Sequence, residues 1–212
     1  MAIKLALDYA KERTNLIELE KENLQLEFNF LRSQVNPHFL FNTLNNIHSL
    51  IVQDRKEQAS ATVARLSGFL RHSLYESGKE RMDLAKEIEL LQDYIALEKV
   101  RLNKTSVHLE TTTDGSPYAL PPLLFMPLVE NAFKYNADNL PTDSFINIYI
   151  EQEGKNLQFR IRNNYDAGKR GSGGGIGMQN LQKRLLHYYP GKHRLELRDE
   201  AGTYEVKISI DA

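Results

Sequence analysis

The sequence has no cysteine among its 212 residues, so it can form neither a disulfide nor a thiolate metal site. It also has no apolar stretch near the ~20 consecutive residues that a membrane-spanning helix needs. Neither sign of charge is in excess, since 27 basic and 28 acidic residues leave a net charge of −1. That balance argues against a protein that coats nucleic acid or an anionic membrane. We therefore expect a cytoplasmic chain without a nucleic-acid partner and without direct membrane contact.

The chain does have a hydrophobic content of 41%, enough for one large core or two small ones. Its first part, to about residue 105, has helical periodicity. Near its start, side chains typical of a helix seam recur every seven residues: Ile3, Ala10, Ile17, Leu24 and Leu31. This heptad pattern predicts a coiled coil over 1–30 that pairs with a second copy. The alternative is a lone amphipathic helix packed on its own domain.

Two further helical patterns follow at about 58–75 and 85–103, separated by the break "YESGKERMDL". Two antiparallel helices after a coiled coil make half of a four-helix bundle, which a homodimer would complete. From about residue 106 the pattern changes to strands of alternating polarity with two helical segments between them. We therefore predict a helical hairpin followed by an α+β domain, in which helices cover one face of a mixed or antiparallel sheet.

A glycine-rich segment, "RNNYDAGKRGSGGGIGMQN", lies between a predicted strand and a predicted helix at 162–180. Glycine allows the backbone to approach a phosphate closely, and the helix start that follows offers unpaired N–H groups. The segment is not a Walker A loop, because no Lys-Ser or Lys-Thr pair follows the glycines, and it is not placed as a dinucleotide fingerprint. The alternative is a flexible surface loop.

A second candidate is the helical segment "LVENAFKYN", in which Asn131 and Lys134 are three residues apart and share a face. An amide oxygen beside an ammonium group can hold magnesium and a phosphate together, because Mg²⁺ needs few protein ligands when a nucleotide supplies the rest. The alternative is a solvated polar face of a helix.

The third candidate is His38 in "QVNPHFLFNTLNNI". Most histidines on a helix are core or surface residues, and His48 and His72 are competitors. His38 differs because Pro37 removes a backbone donor and is expected to bend the helix, turning the imidazole towards solvent. Asn42, one turn later, is placed to hydrogen-bond the imidazole and fix its tautomer.

Taken in order, "LRSQVNPHFLFNTLNNI", "LVENAFKYN" and "GGGIGMQNLQKRL" resemble the LytS-type sensor histidine kinases. "EIELLQDYIALEKVRLN" and "RLLHYYPGKHRLEL" extend the resemblance over about 31–210. It implies a dimerisation and histidine-phosphotransfer hairpin at 31–105 and a catalytic ATP-binding domain of the Bergerat type at 106–212. It also implies autophosphorylation by Mg-ATP, relay to a response-regulator aspartate, and an upstream, membrane-embedded sensor.

The resemblance also assigns roles to individual residues. His38 would be the phosphoacceptor and Asn131 the magnesium ligand, while Lys134 would meet the phosphates. The lid end over the nucleotide would be formed by three glycines: Gly173, Gly175 and Gly177.

The sequence departs from the pattern of this nucleotide fold in two places. The usual Asp-x-Gly-x-Gly box is missing, and Asn163 stands at the strand end where the adenine-binding aspartate would be. Its amide oxygen can accept the same hydrogen bond without charge. Asp166 and Gly168 offer a shifted alternative. In addition, Phe39 follows the phosphoacceptor where many histidine kinases have an acid.

These departures leave two rival functions. One is a degenerate signalling dimer that binds nucleotide without phosphorylating. The other is a stand-alone ATPase of the same superfamily. Such enzymes place a water-activating glutamate one turn before the magnesium asparagine, but this chain has Pro127 there, which disfavours an ATPase.

Overall fold

A computed structural model of the chain describes five stretches, namely 37–102, 104–135, 144–165, 176–200 and 202–211. The described residues fall into two units, and the division lies between Asn42 and Thr43. The coiled coil predicted for 1–30 lies outside the described residues. Among the helices that are described, none is both long enough and apolar enough to cross a membrane.

The described residues form five helices and seven strands. The helices are α1 Pro37–Val52, α2 Lys56–Ser77, α3 Leu84–Lys99, α4 Met126–Lys134 and α5 Ile176–Tyr188. The strands are β1 Met82–Asp83, β2 Ser106–Thr113, β3 Ala119–Leu120, β4 Phe145–Glu153, β5 Asn156–Asn164, β6 His193–Glu200 and β7 Thr203–Asp211.

Helices α2 and α3 pack against each other in antiparallel directions. The Arg65 guanidinium lies 3.7 Å from the Asp93 carboxylate. Towards the connection between the helices, the Lys86 ammonium lies 3.3 Å from Glu76. These two pairs run in opposite order along the two helices, as an antiparallel hairpin requires. Whether the pair belongs to a dimeric four-helix bundle remains a prediction.

Helix α3 is also tied to the part of the chain that follows it. Strand β1, directly before α3, pairs with β3 through Met82–Leu120 and Asp83–Ala119. The Leu84 N–H, at the first residue of α3, donates to the Tyr118 carbonyl at 2.8 Å. A domain boundary at 105/106 remains a prediction, and these contacts connect the residues on its two sides.

The main sheet has the strand order β2-β4-β5-β7-β6. Strand β2 runs parallel to β4, and every other neighbouring pair is antiparallel. The predicted alternation places one side chain in two on the inner face, where Ile148 and Ile161 pair across β4 and β5 and are almost completely buried. The α+β domain with a mixed sheet is therefore confirmed.

Helices cover the inner face of this sheet. The ring of Phe125, just before α4, stacks on Phe159 of β5 with centroids 4.2 Å apart and an interplanar angle of 5°. Both side chains are completely buried. On the outer face, Arg160 lies over the Tyr149 ring at 4.4 Å. The outward residues of β5 are exposed, so one face carries the core.

Replacement of Phe159 tests this packing. Phe159→Ala removes a buried ring that contacts Phe125, and we expect the free energy of unfolding to fall by about 3–5 kcal/mol. The matched control is Gln158→Ala on the exposed face of the same strand, for which the change should stay within about 0.5 kcal/mol. Urea denaturation followed by circular dichroism measures both. Equal losses in the two variants would contradict the assigned faces.

Candidate functional site

Helix α4 is amphipathic, and its solvent side carries the candidate residues. Its buried side consists of Met126, Leu128, Val129, Ala132 and Phe133. The positions that remain return every three or four residues, which places Pro127, Asn131 and Lys134 on one side of the helix. The Lys134 side chain is exposed, and its ammonium lies 5.0 Å from the centroid of the Tyr135 ring.

The N-terminal end of α5 meets α4 at Asn131. The contact is at Gly177, where an added β-carbon would lie 3.6 Å from the Pro127 β-carbon and 3.7 Å from the Asn131 side-chain nitrogen. The start of α5 therefore lies beside an amide side chain, and the first N–H groups of a helix have no partner within the helix. Both groups are suited to a phosphate and its metal ion.

Asn163 occupies the last inward position of β5, the strand on which α4 packs. This residue is only 3% exposed. The side-chain nitrogen donates to the Asn164 carbonyl at 3.1 Å. This bond orients the amide so that its oxygen is left as an acceptor, the role predicted for it towards adenine.

His38 and Asn42 lie in the first unit, one turn apart on α1. The Asn42 side-chain nitrogen lies 3.2 Å from His38 Nδ1 and 3.4 Å from Nε2. Because the two distances are so similar, the contact does not select one ring nitrogen, and the tautomer remains a prediction. Pro37 is the first residue of α1 as described; the predicted bend involves residues before it, which lie outside the described part.

Several predicted site residues fall outside the described stretches. These are Gly173 and Gly175 of the lid end, together with Asp166 and Gly168 of the shifted Asp-x-Gly alternative. Their roles remain predictions. Among the lid glycines, Gly177 is placed, and it lies against Asn131.

The turn that leads into α4 contains a feature that we did not predict. The Glu87 carboxylate of α3 is completely buried and accepts the Leu123 N–H at 2.7 Å and the Phe125 N–H at 2.9 Å. From the other side, the Arg184 guanidinium of α5 donates to the carbonyls of Pro122 and Leu123. Burial raises the pKa of the Glu87 carboxyl to about 7, although its backbone hydrogen bonds and Arg184 act in the opposite direction.

One signal in the sequence could have identified Glu87, although we did not use it. Leu84, Leu91 and Tyr94 form the apolar stripe of α3, and Glu87 lies within that stripe at the same helical spacing. A carboxylate in such a position is buried and therefore needs partners. The sequence does not name those partners, because they lie on a distant turn and on another helix.

Comparisons of the sequence with known proteins identify histidine kinases as relatives of this chain. Residues 26–106 match the family model described as Histidine kinase. Over 184 residues, 85% of this chain, the sequence is 35% identical to the sensor histidine kinase BtsS of Escherichia coli K12 and covers 32% of that protein. It is 29% identical over 192 residues to the sensor protein LytS of Staphylococcus haemolyticus, covering 84% of this chain and 33% of that protein.

Among solved structures, the catalytic domain of the histidine kinase ThkA aligns with 62% of this chain and 97% of that chain, at 14% identity and a TM-score of 0.48. The chain spans about one third of the length of the curated relatives described above. The sequence matches support one class of protein, the sensor histidine kinases. The predicted resemblance is confirmed: the chain is a relative of the LytS-type sensor histidine kinases.

The contact between α5 and α4 can be tested at Gly177. A methyl group there would make ordinary contacts with Pro127 and Asn131. We therefore expect Gly177→Ala to fold normally and to gain up to about 1 kcal/mol from helix propensity. Gly177→Leu adds atoms in the direction of Asn131 and should cost about 1–3 kcal/mol. Chemical denaturation measures both, and a Gly177→Leu variant as stable as Gly177→Ala would show that the helices do not meet here.

Proposed function

We propose that this chain is the kinase core of a two-component sensor, which phosphorylates itself on His38 from Mg-ATP and passes the phosphoryl group to a response-regulator aspartate. The observation that carries the proposal is the meeting of Gly177 with Asn131. It brings a helix start, an amide ligand and the nearby Lys134 to the exposed side of one helix. Phosphoryl transfer is mainly positioning and charge neutralisation, which these groups supply.

Each residue has a role in this proposal. Asn131 would hold magnesium through its side-chain oxygen, and the ion would neutralise charge on the phosphates. Lys134 would bind the phosphates from the same side of α4. The N–H groups at the start of α5 add partial positive charge. Asn163 would accept a hydrogen bond from the adenine amino group, since its own amide nitrogen is bonded to Asn164.

His38 is the proposed nucleophile. A neutral ring nitrogen attacks the γ-phosphorus of ATP, the N–P bond forms as the bond to the bridging oxygen breaks, and ADP leaves with that electron pair. Phe39 provides no carboxylate next to His38. Asn42, within 3.4 Å of both ring nitrogens, would orient the imidazole. In the second step the phosphoryl group moves to the regulator's carboxylate.

Homodimerisation belongs to the same proposal and is supported by exposed apolar side chains. Leu44 and Ile51 on α1, and Val63 and Leu74 on α2, are each about half exposed. Their spacings of seven and eleven residues return to the same side of a helix. A second copy of the chain would cover these stripes and complete the four-helix bundle. The upstream membrane sensor is part of this proposal as well, because the curated relatives are about three times as long.

Asn163 also supports a second candidate, the degenerate signalling dimer. A buried neutral amide replaces the expected aspartate, and this could weaken nucleotide binding. His38, Asn131 and Lys134 argue against degeneration. A stand-alone ATPase is disfavoured because Pro127, one turn before Asn131, has no acid to activate water.

The kinase proposal can be tested by labelling with ATP that carries a radioactive γ-phosphate. Wild type should acquire label that is lost in acid and stable in base, as a phosphoramidate is, whereas His38→Gln should acquire none. His48→Gln and His72→Gln are the controls, because both residues are histidines on described helices, and they should keep the label. Label that survives in His38→Gln would move the phosphoacceptor. ATP binding without any label in wild type would favour the degenerate module.

A second test concerns adenine recognition. Asn163→Asp supplies a charged acceptor at a buried position, so we expect Mg-nucleotide affinity to rise by about fivefold, roughly 1 kcal/mol. The free protein should become less stable, because the carboxylate is buried without a nucleotide. Isothermal titration calorimetry and thermal denaturation measure the two effects. Asn164→Asp is the control, since it retains the oxygen that accepts the Phe145 N–H and should leave affinity unchanged. Unchanged affinity in Asn163→Asp would remove Asn163 from the adenine site.

A further inference from the structure

Three elements meet at the turn that leads into α4. Glu87 of α3 binds the N–H groups of Leu123 and Phe125. Arg184 of α5 binds the carbonyls of Pro122 and Leu123. We call this group of contacts the Glu87–Arg184 brace.

The brace holds the turn in a backbone conformation that is rare for leucine. Leu123 has a φ of 55°, in the left-handed region that a bulky side chain disfavours. Both of its backbone groups are bound, the N–H by Glu87 and the carbonyl by Arg184. A backbone held in this way is over-determined by its surroundings, which is typical of turns that position functional groups.

The brace lies between the helices of the proposed nucleotide site. Phe125 is the cap residue of α4, so its N–H bond to Glu87 fixes where that helix begins. Arg184 follows Gly177 by two helical turns, on the same side of α5. Helix α5 therefore contacts the α4 region twice, through Gly177 at Asn131 and through Arg184 at the turn.

We propose that Glu87 and Arg184 are positioning residues that hold α4 and α5 at the spacing needed for Asn131 to bind Mg-nucleotide. This inference rests on the proposed function for its readout. Glu87 does not touch the substrate in this account; it acts through the turn. The brace would therefore govern the magnesium-dependent part of nucleotide affinity.

The brace also makes the affinity depend on pH. Only the ionised carboxylate offers an acceptor to both N–H groups, because a protonated carboxyl loses most of the acceptor strength of one oxygen. The groups that face Glu87 are the backbone N–H groups of residues 123–125 and the Arg184 guanidinium; Tyr188 and Tyr189 lie beside that guanidinium. Ionisation of Glu87 falls near neutral pH, so binding should strengthen as the pH rises through this range.

The stability of the free protein should change in the opposite direction. Burial favours the protonated form, and the folded pKa lies above the usual value of 4.5. The stabilisation by Glu87 is therefore complete below pH 4.5 and is lost as the pH rises to about 7. A purely structural role of Glu87 therefore predicts that the free protein becomes less stable as the pH rises. The positioning role predicts that nucleotide binding becomes stronger over the same pH range.

The experiment compares the full chain with Glu87→Gln, which keeps the shape but places an amide NH₂ against one N–H donor. The control is Glu89→Gln, an exposed glutamate on the same helix. Affinity for ADP is measured with Mg²⁺ and with EDTA, at about pH 6 and about pH 8. If nucleotide binding shifts the pKa of Glu87 by one unit, the affinity changes by about tenfold. We expect Glu87→Gln to lose about tenfold at the higher pH with Mg²⁺, with little change in EDTA.

Arg184→Lys gives an independent variant, because lysine keeps the charge but cannot bind two carbonyls with a planar fork. It should also reduce the Mg²⁺-dependent affinity, whereas its exposed neighbour, tested as Lys183→Gln, should not. The amide resonances of Leu123 and Phe125 report on the brace without nucleotide. In wild type they should titrate near neutral pH, and in Glu87→Gln they should not.

The outcomes separate the two proposals. If wild type binds ADP and Glu87→Gln binds it equally well at both pH values, the positioning role is overturned while the kinase proposal stands. If Glu87→Gln loses the same factor with and without Mg²⁺, its effect is structural, and the positioning role is again overturned. If wild type binds no nucleotide, the proposed function fails and the role in affinity fails with it. The amide titration then shows whether the brace itself exists.

Discussion

The stack of Phe125 on Phe159 is the interaction on which the candidate site depends. It fixes the end of the turn to the inner face of the sheet, and α4 begins at the next residue. Asn131 and Lys134 then follow on the solvent side because the opposite side of the helix is buried. Apolar packing therefore determines the position of the polar site, because the buried Phe125 ring fixes which side of α4 carries Asn131 and Lys134 towards solvent.

The sequence predicted those features that depend on local periodicity. Alternation along β4 and β5 gave the inner face, and the spacing of Asn131 and Lys134 gave the shared side of α4. The parallel pairing of β2 with β4 was left open, because alternation does not encode strand direction. The brace was missed for a related reason. Glu87 was visible as an acid in an apolar stripe, but its partners at Leu123 and Arg184 are brought near only by the tertiary fold.

The short ladder of β1 with β3 explains how distant parts of the chain share one geometry. Asp83 precedes α3, which carries Glu87, and Leu120 precedes the turn that Glu87 binds. The β1–β3 pairing therefore fixes the position of Glu87 relative to the turn that it binds. A shift of one residue in this pairing would move Glu87 away from the Leu123 and Phe125 N–H groups, so two residue pairs specify a much larger arrangement.

In the proposed adenine site, the buried amide of Asn163 has a consequence for the chemistry of the ligands that bind there. An aspartate at this position would increase the affinity for heterocycles that carry a positive charge, because a cation facing a buried carboxylate is strongly favoured. The neutral amide cannot form this ion pair, so the desolvation cost of binding a cationic ligand is not offset by a charge. Inhibitors designed for the proposed adenine site should therefore be uncharged hydrogen-bond donors. Cationic compounds that bind kinases with the aspartate should bind this chain more weakly.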